Sequence, residues 1–394
     1  MNSRPLPLWR ITSISVLCGL LFFVIITFAI SRPMTDFIVY WTAPHLFVNH
    51  QNPYSLAEVF ATQTALGSKA GIPKMFLCPP WVLTMLAPLG LMHSYELGWI
   101  LWITVLIACM AIGSKLLMDI YFGELEIPEI SQPRWYRYLF AFTFYPTLLA
   151  IKCTQTSPFL FLSLAGFLHY HRKSRLLAAA LLLCITLIKP HLVLLVWLAL
   201  LLNREWKILG TSAMVTVALS ACAMFTFPSA FQEYWSLMSG PYPRYTAGGV
   251  FGGLRAISGS PDTYWVQFIP PIIGVIWFAF YFRKMRSNWN WTDRLPAVVT
   301  ASMLCAPYGF VYDQALLIVP ITYLAANAAQ EAGKISVRPI VFYSVINFGI
   351  LALVFVSMFW AFLPGPVLIA FWLAHSSRSQ DRYRMDTEAA ACLH

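Results

Sequence analysis

A chain of 394 residues would ordinarily fold as two or three soluble domains, but 59% of this one is hydrophobic and 11% charged, with a mean hydropathy of +0.67. A soluble domain carries roughly 25% charged residues, so a soluble globular protein is excluded and most of the surface must meet lipid. The formal net charge of +10 comes as small clusters between apolar runs, which excludes the long basic stripe of a nucleic-acid binder and fits the Lys/Arg bias of cytosolic loops.

In chain order, apolar runs of spanning or near-spanning length are predicted at 11–30, 95–118, 135–151, 156–170, 175–189, 190–203, 207–228, 264–282, 295–309, 313–328, 339–360 and 364–375. The expected fold is an all-α integral membrane domain over 1–375, a bundle of about twelve transmembrane helices. Arg4 and Arg10 precede the first run and no small-residue cleavage site follows it, so it reads as an uncleaved span. The stretch Pro79 to Met92 is short and holds Pro88, which predicts a juxtamembrane or re-entrant helix. With that stretch excluded and the N-terminus inside, 19 Lys/Arg fall on the cytosolic side and 7 outside, out of 26. Two long segments, 31–94 and 229–263, then lie outside as loops rich in Tyr and Trp, whose side chains suit the membrane interface. Residues 376–394 are polar and are predicted to be a disordered cytosolic tail. Eight cysteines are scattered singly with no CxxC or metal-ligand spacing, so they read as small packing residues.

Two groups of polar residues stand against this apolar background. Asp36 follows the first run by six residues. With Thr35 it can cap a helix from Phe37 to Leu46, or its carboxylate can face an external cavity. The second group is Lys152, Lys189 with His191, Arg244, Arg255 and Asp313, all on the outer side and abutting apolar runs. Singly, such cations serve as interfacial anchors; converging on one cavity, they would form an anion site. Lys189-Pro190-His191 is the sharpest, because it sits between two apolar runs with only Pro190 breaking the helix. Proline breaks recur on the outer side, at Asn52-Pro53-Tyr54, Cys78-Pro79-Pro80-Trp81, Tyr145-Pro146, Ser157-Pro158 and Ala306-Pro307-Tyr308, so the irregular backbone faces outward. No P-loop, GxSxG, HExxH or GxGxxG occurs in a strand-turn-helix context. A transporter or flippase for a lipid-linked or small solute is the alternative class, and it would place its charges near mid-membrane in two related halves.

Together, Asp36 through Trp41, Asn52-Pro53-Tyr54, Pro79-Pro80, Pro88-Leu89, Thr154-Gln155-Thr156, Lys189-Pro190, Ala306-Pro307-Tyr308 and Tyr312-Asp313 resemble, in order and spacing, glycosyltransferase family 87 within the GT-C class. At Thr154-Gln155-Thr156 the chain lacks both the glycine and the asparagine of the usual Gly-Gln-x-Asn pattern, while Gln155 is kept, and it reads Tyr312-Asp313 where mannosyltransferase members often have a histidine pair. The resemblance implies a GT-C bundle with juxtamembrane helices in its first outer loop, set in the bacterial cytoplasmic membrane with its active site facing outward. It also implies a metal-independent or weakly metal-dependent, inverting transfer of a sugar, mannose foremost, from a polyprenyl phosphate donor to a lipid or glycan acceptor, with membrane lipids as surroundings; no cofactor and no dedicated metal site are expected. On this reading Asp36 is the general base, Lys189, His191, Arg255 and Lys152 bind the donor phosphate, and Gln155, Tyr312, Asp313, Tyr40 and Trp41 contact sugar or acceptor.

Overall fold

A computed structural model of the chain describes residues 35–123, 138–240, 264–332, 337–357 and 360–376, with positions 252, 255 and 257 between. The expected first span at 11–30, Arg244 and the tail beyond 376 lie outside them. The described residues form helices and connecting turns, with no strand among them, as a lipid-embedded backbone requires unless it closes into a barrel.

The segment 35–94 holds three short helices: α1 (Phe37–Val48), α2 (Leu56–Ala65) and α3 (Pro80–Gly90). Ser55 caps α2 by accepting from the Glu58 amide, and Pro80 opens α3 at the first helical position, where no amide donor is needed. The eleven residues of α3 rise about 16 Å, half of a ~30 Å hydrocarbon core, so this helix is too short to span. It packs on α1, and the crossing is tight: a Cβ on Gly90 would collide with the Pro44 carbonyl. Next, α4 (Tyr95–Tyr121) runs for 27 residues, about 40 Å. It packs against α6 (Ser157–Arg172), with Gly113 letting the Phe161 ring lie against the helix backbone.

Several expected spans arrive in pieces. The run at 135–151 breaks before α5 (Tyr145–Lys152), whose N-terminus holds Pro146. The runs at 175–189 and 190–203 become α7 (Leu176–Leu183), two 3₁₀ turns on either side of Lys189, and α8 (Leu194–Leu202). Pro190 explains the break, because its ring disfavours the helical region for the residue before it, and Lys189 sits at φ −137°, ψ 68°. After α9 (Trp206–Thr226), α10 (Ala230–Ser239), α11 (Ile269–Met285) and α12 (Trp291–Cys305), a 3₁₀ segment, Val311–Leu317, leads into α13 (Ile318–Ala332) and α14 (Val337–Val356). Among the described residues four helices are long and apolar enough to cross a membrane, Tyr95–Tyr121, Trp206–Thr226, Trp265–Asn288 and Arg338–Val356. Of the other expected spans, those at 175–189, 190–203 and 364–375 appear as shorter apolar helices, Leu176–Ile188, Pro190–Leu202 and Trp360–Ser376.

Large apolar side chains remain exposed along these helices, Phe225, Phe280, Phe355 and Val217 among them. In water such a surface would be an association site; in a bilayer it is the lipid face.

Candidate active site

The turn between α5 and α6 is the centre of the site. After Lys152 the Thr154 amide donates to the Ile151 carbonyl (3.0 Å) and the Gln155 amide to that of Ala150 (2.8 Å), the two bonds of a Schellman cap. Such a cap puts the residue after the C-cap in the left-handed region, and Thr154 has φ +56°. Glycine is the natural occupant there, which explains why the Gly-Gln-x-Asn pattern begins as it does. Here a β-branched residue is held by neighbours: its hydroxyl is 2.9 Å from that of Thr35, and its carbonyl accepts from Trp102 Nε1 (2.9 Å). The same indole stacks on Tyr40 at 5.4 Å, so Trp102 of α4 seats both α1 and the turn.

This cap presents Gln155, which is buried, to three functional groups. Its Nε2 donates to Asp36 Oδ2 (2.6 Å), while its Oε1 accepts from the Tyr40 hydroxyl (3.1 Å) and Lys189 Nζ (3.3 Å). Burial raises the Tyr40 hydroxyl well above its ordinary pKa, so it stays protonated and donates. Lys189 Nζ also donates to Asp313 Oδ1 (2.9 Å) and lies 5.2 Å from the centre of the Tyr312 ring. Asp313 Oδ1 accepts in addition from Ser157 Oγ (2.7 Å), and Oδ2 from the Phe310 amide (3.0 Å). Ser157 occupies the asparagine position of Gly-Gln-x-Asn. A continuous chain of charge-assisted bonds thus runs from Asp36 through Gln155 and Lys189 to Asp313, joining residues up to 277 positions apart in sequence.

The two ends of this chain differ. The Asp313 side chain is 2% exposed, and its three donors commit it to holding Lys189. Asp36 is 32% exposed. It stands at the N-cap of α1, yet no side-chain cap bond forms, so the carboxylate is directed to the site and the helix start relies on backbone bonds from Ile38 and Val39.

The other oxygen of Asp36 meets a residue that sequence reasoning missed. Lys74 Nζ lies 2.7 Å from Asp36 Oδ1. Its backbone is pinned on both sides by Gln63 of α2, which donates to the Lys74 carbonyl (2.8 Å) and accepts from the Lys74 amide (2.9 Å). Gln63, Met75 and Phe76 are buried, so the strap is anchored while the Lys74 side chain stays half exposed. Nearby, burial raises the Cys78 thiol to about 11 against the opposing pull of Lys189, which leaves it neutral.

The remaining expected residues take other places. Trp41 is buried, stacked on His45 at 4.3 Å and edge-on to Tyr95 at 5.7 Å; it packs α1 onto α4. His191 lies against Tyr308 with ring centres 3.9 Å apart. Lys152 ends α5, and among the described residues no hydrogen bond or ion pair joins it to Asp36 or Lys189. Arg255 is buried, and the segments flanking it lie largely outside the described residues. Among the described residues no three His, Cys, Asp or Glu side chains stand together as a metal-holding group.

The family model described as glycosyltransferase family 87 matches residues 76–307, more than half of the chain. The matched span contains Gln155, Ser157 and Lys189, while Asp36, Lys74 and Asp313 stand outside it and are joined to it by the contacts above. No curated protein and no solved structure matches the chain.

Proposed function

The chain belongs to glycosyltransferase family 87, and on that premise we propose that it transfers a sugar, mannose foremost, from a polyprenyl phosphate donor to a lipid or glycan acceptor at the outer face of a cytoplasmic membrane, with Asp36 as the general base. The observation that carries this reading is the Asp36–Gln155–Lys189 chain, which sets a partly exposed carboxylate and a cation one glutamine apart. A carboxylate oxygen has two lone pairs, so Oδ1 can accept the acceptor's hydroxyl proton while Lys74 stays or swings aside.

In the reaction the acceptor oxygen attacks the anomeric carbon as the bond from that carbon to the phosphate oxygen breaks. The proton passes to Asp36 and the electron pair leaves with the polyprenyl phosphate. That leaving group is good enough to need no protonation, so one carboxylate suffices where glycosidases use two. What it needs is charge stabilisation. An ammonium has three donors; Lys189 uses two, to Asp313 and Gln155, and the third serves the phosphate. His191, Arg255 and Lys152 are proposed as further phosphate contacts, and Tyr40 and Tyr312 as contacts to sugar or acceptor. Asp313 acts through Lys189 by fixing its position. Trp41 contributes by seating α1.

The donor class is tested with the purified full-length protein in lipid vesicles, offered radiolabelled sugar on a polyprenyl phosphate or on a nucleoside diphosphate. Transfer from the polyprenyl donor alone is expected. Transfer from the nucleotide sugar alone would reject the reading.

A further inference from the structure

Two lysines meet the Asp36 network, and their surroundings divide them. Lys189 and Asp313, 2.9 Å apart, have side chains 13% and 2% exposed, whereas Lys74 and Asp36, 2.7 Å apart, are 48% and 32% exposed. The buried pair is fixed, because neither charge has water to turn to. An exposed pair holds weakly, since water replaces each partner readily. The Lys74 backbone is pinned on both sides by Gln63 and followed by buried Met75 and Phe76. What can move is therefore its flexible four-carbon stem and the ammonium at the end of it.

The place of that ammonium bears directly on the base. Gln155 Nε2 takes Oδ2 of Asp36 at 2.6 Å, so Oδ1, which Lys74 holds, is the oxygen left for an incoming hydroxyl. A proton arriving at Oδ1 would meet an ammonium already bonded there, and like charges repel. Because Asp36 is partly exposed, water reaches it as well as any acceptor. A polyprenyl phosphosugar carries a good leaving group, so an unguarded base would pass the sugar to water. In that side reaction the water oxygen bonds to the anomeric carbon and the bond from that carbon to the phosphate oxygen breaks. The electron pair leaves with the polyprenyl phosphate, the water proton goes to Asp36, and free sugar is released. Active sites commonly suppress such hydrolysis by expelling water. With Asp36 open to solvent, the suppression has to act on the base itself.

We propose that Lys74 is a guard on the base: its ion pair holds Asp36 inactive toward water, and the acceptor moves the ammonium off Oδ1 as its hydroxyl arrives. Contacts to the parts of a lipid or glycan acceptor away from the reacting hydroxyl supply the binding energy for this exchange, and water has no such parts. The weakness of the exposed pair is what lets the acceptor open it. The inference rests on Asp36 being the general base, and it makes Lys74 a positioning residue that acts through Asp36.

The test needs the donor alone. Purified full-length protein in lipid vesicles is given radiolabelled mannose on a polyprenyl phosphate without acceptor, and the free sugar released is counted. A parallel sample with a lipid and glycan extract of the source membrane measures transfer. K74M and K74Q are expected to release free sugar about fivefold faster than wild type, the scale of one exposed ion pair. K74R keeps the charge and should stay near the wild-type rate, and K74M/D36N should lose the gain, because the water is activated by Asp36. The Lys74 side chain is exposed, so neither substitution disturbs the core, and K74Q carries the test if K74M does not insert. A merely structural role would lower hydrolysis and transfer together in both variants, and that result would overturn the proposal. Wild type that transfers sugar beside K74M and K74Q that hydrolyse no faster would reject the guard and leave the transfer reading standing. Wild type that turns over no polyprenyl donor would reject both.

Discussion

At the scale of single residues, the most consequential contact is the buried pair Lys189–Asp313. Removing one partner of a buried ion pair costs about 3–5 kcal/mol, because the other charge is left uncompensated. Asp313 is only 2% exposed, so Lys189→Ala should lose stability on that order as well as donor use, and loss of activity in this variant alone says little about phosphate. The double variant K189M/D313N removes both charges and should be less destabilised than the sum of the two single variants. Unfolding of all three in bicelles checks this. Strict additivity would mean that the pair is not coupled. Lys74 illustrates what sequence could not reveal at this scale. It is 38 residues from Asp36 in an unpatterned loop, and the signal that positions it, Gln63 bonding both sides of its backbone, exists only once the loop is folded. Asp36 itself was legible as a cap or a base, and the absence of a side-chain cap bond leaves the carboxylate available for chemistry.

At the scale of elements, the α5–α6 turn shows how a local backbone rule sets site geometry. A non-glycine residue in the left-handed region costs roughly 1–2 kcal/mol, and Thr154 recovers part of that through its bond to Thr35. Thr154→Gly should therefore keep activity and change stability by no more than about 1 kcal/mol, since relief of strain offsets a lost hydrogen bond worth about the same. Thr154→Pro cannot adopt positive φ and lacks the amide that bonds Ile151, so it should lose the cap, displace Gln155 and abolish transfer. Thermal unfolding and transfer assays on both variants check the pair of outcomes; an active T154P would contradict the role given to the turn. The proline breaks at Pro158, Pro190 and Pro307 were legible in the sequence for the same kind of reason, because proline constrains the residue before it. The splitting of expected spans into short helices was not: apolar content continues through Leu182 to Ile188 with only Thr186 interrupting it, and hydropathy does not register a change from α to 3₁₀ backbone.

At the scale of the whole molecule, the chain has two chemically distinct ends. The Asp36 network lies at the starts of α1 and α6, and the basic loops lie about 24 Å away at the other end of α6. The Lys/Arg asymmetry made the existence of these ends legible, since clusters of like charge fall in alternate loops. It could not indicate which polar residues converge, because that depends on helix packing and not on periodicity. In a cysteine-free background, Ser68→Cys on the Lys74 strap should react with a membrane-impermeant maleimide in intact cells, and Ser174→Cys beside Arg172 only after permeabilisation. The reverse pattern would invert the orientation derived from charge.

The central claim is that Asp36 accepts the proton of the attacking hydroxyl. Asp36→Asn preserves size and leaves the hydrogen bonds of Gln155 to Tyr40 and Lys189 intact, while removing the base. The direct measurement is single-turnover transfer of sugar from a polyprenyl phosphate donor by purified, vesicle-inserted D36N beside wild type, with insertion checked by proteolysis. A rate lower by about 10²-fold or more, with donor binding retained, is the result predicted. A correctly inserted D36N that transfers at near the wild-type rate would contradict it.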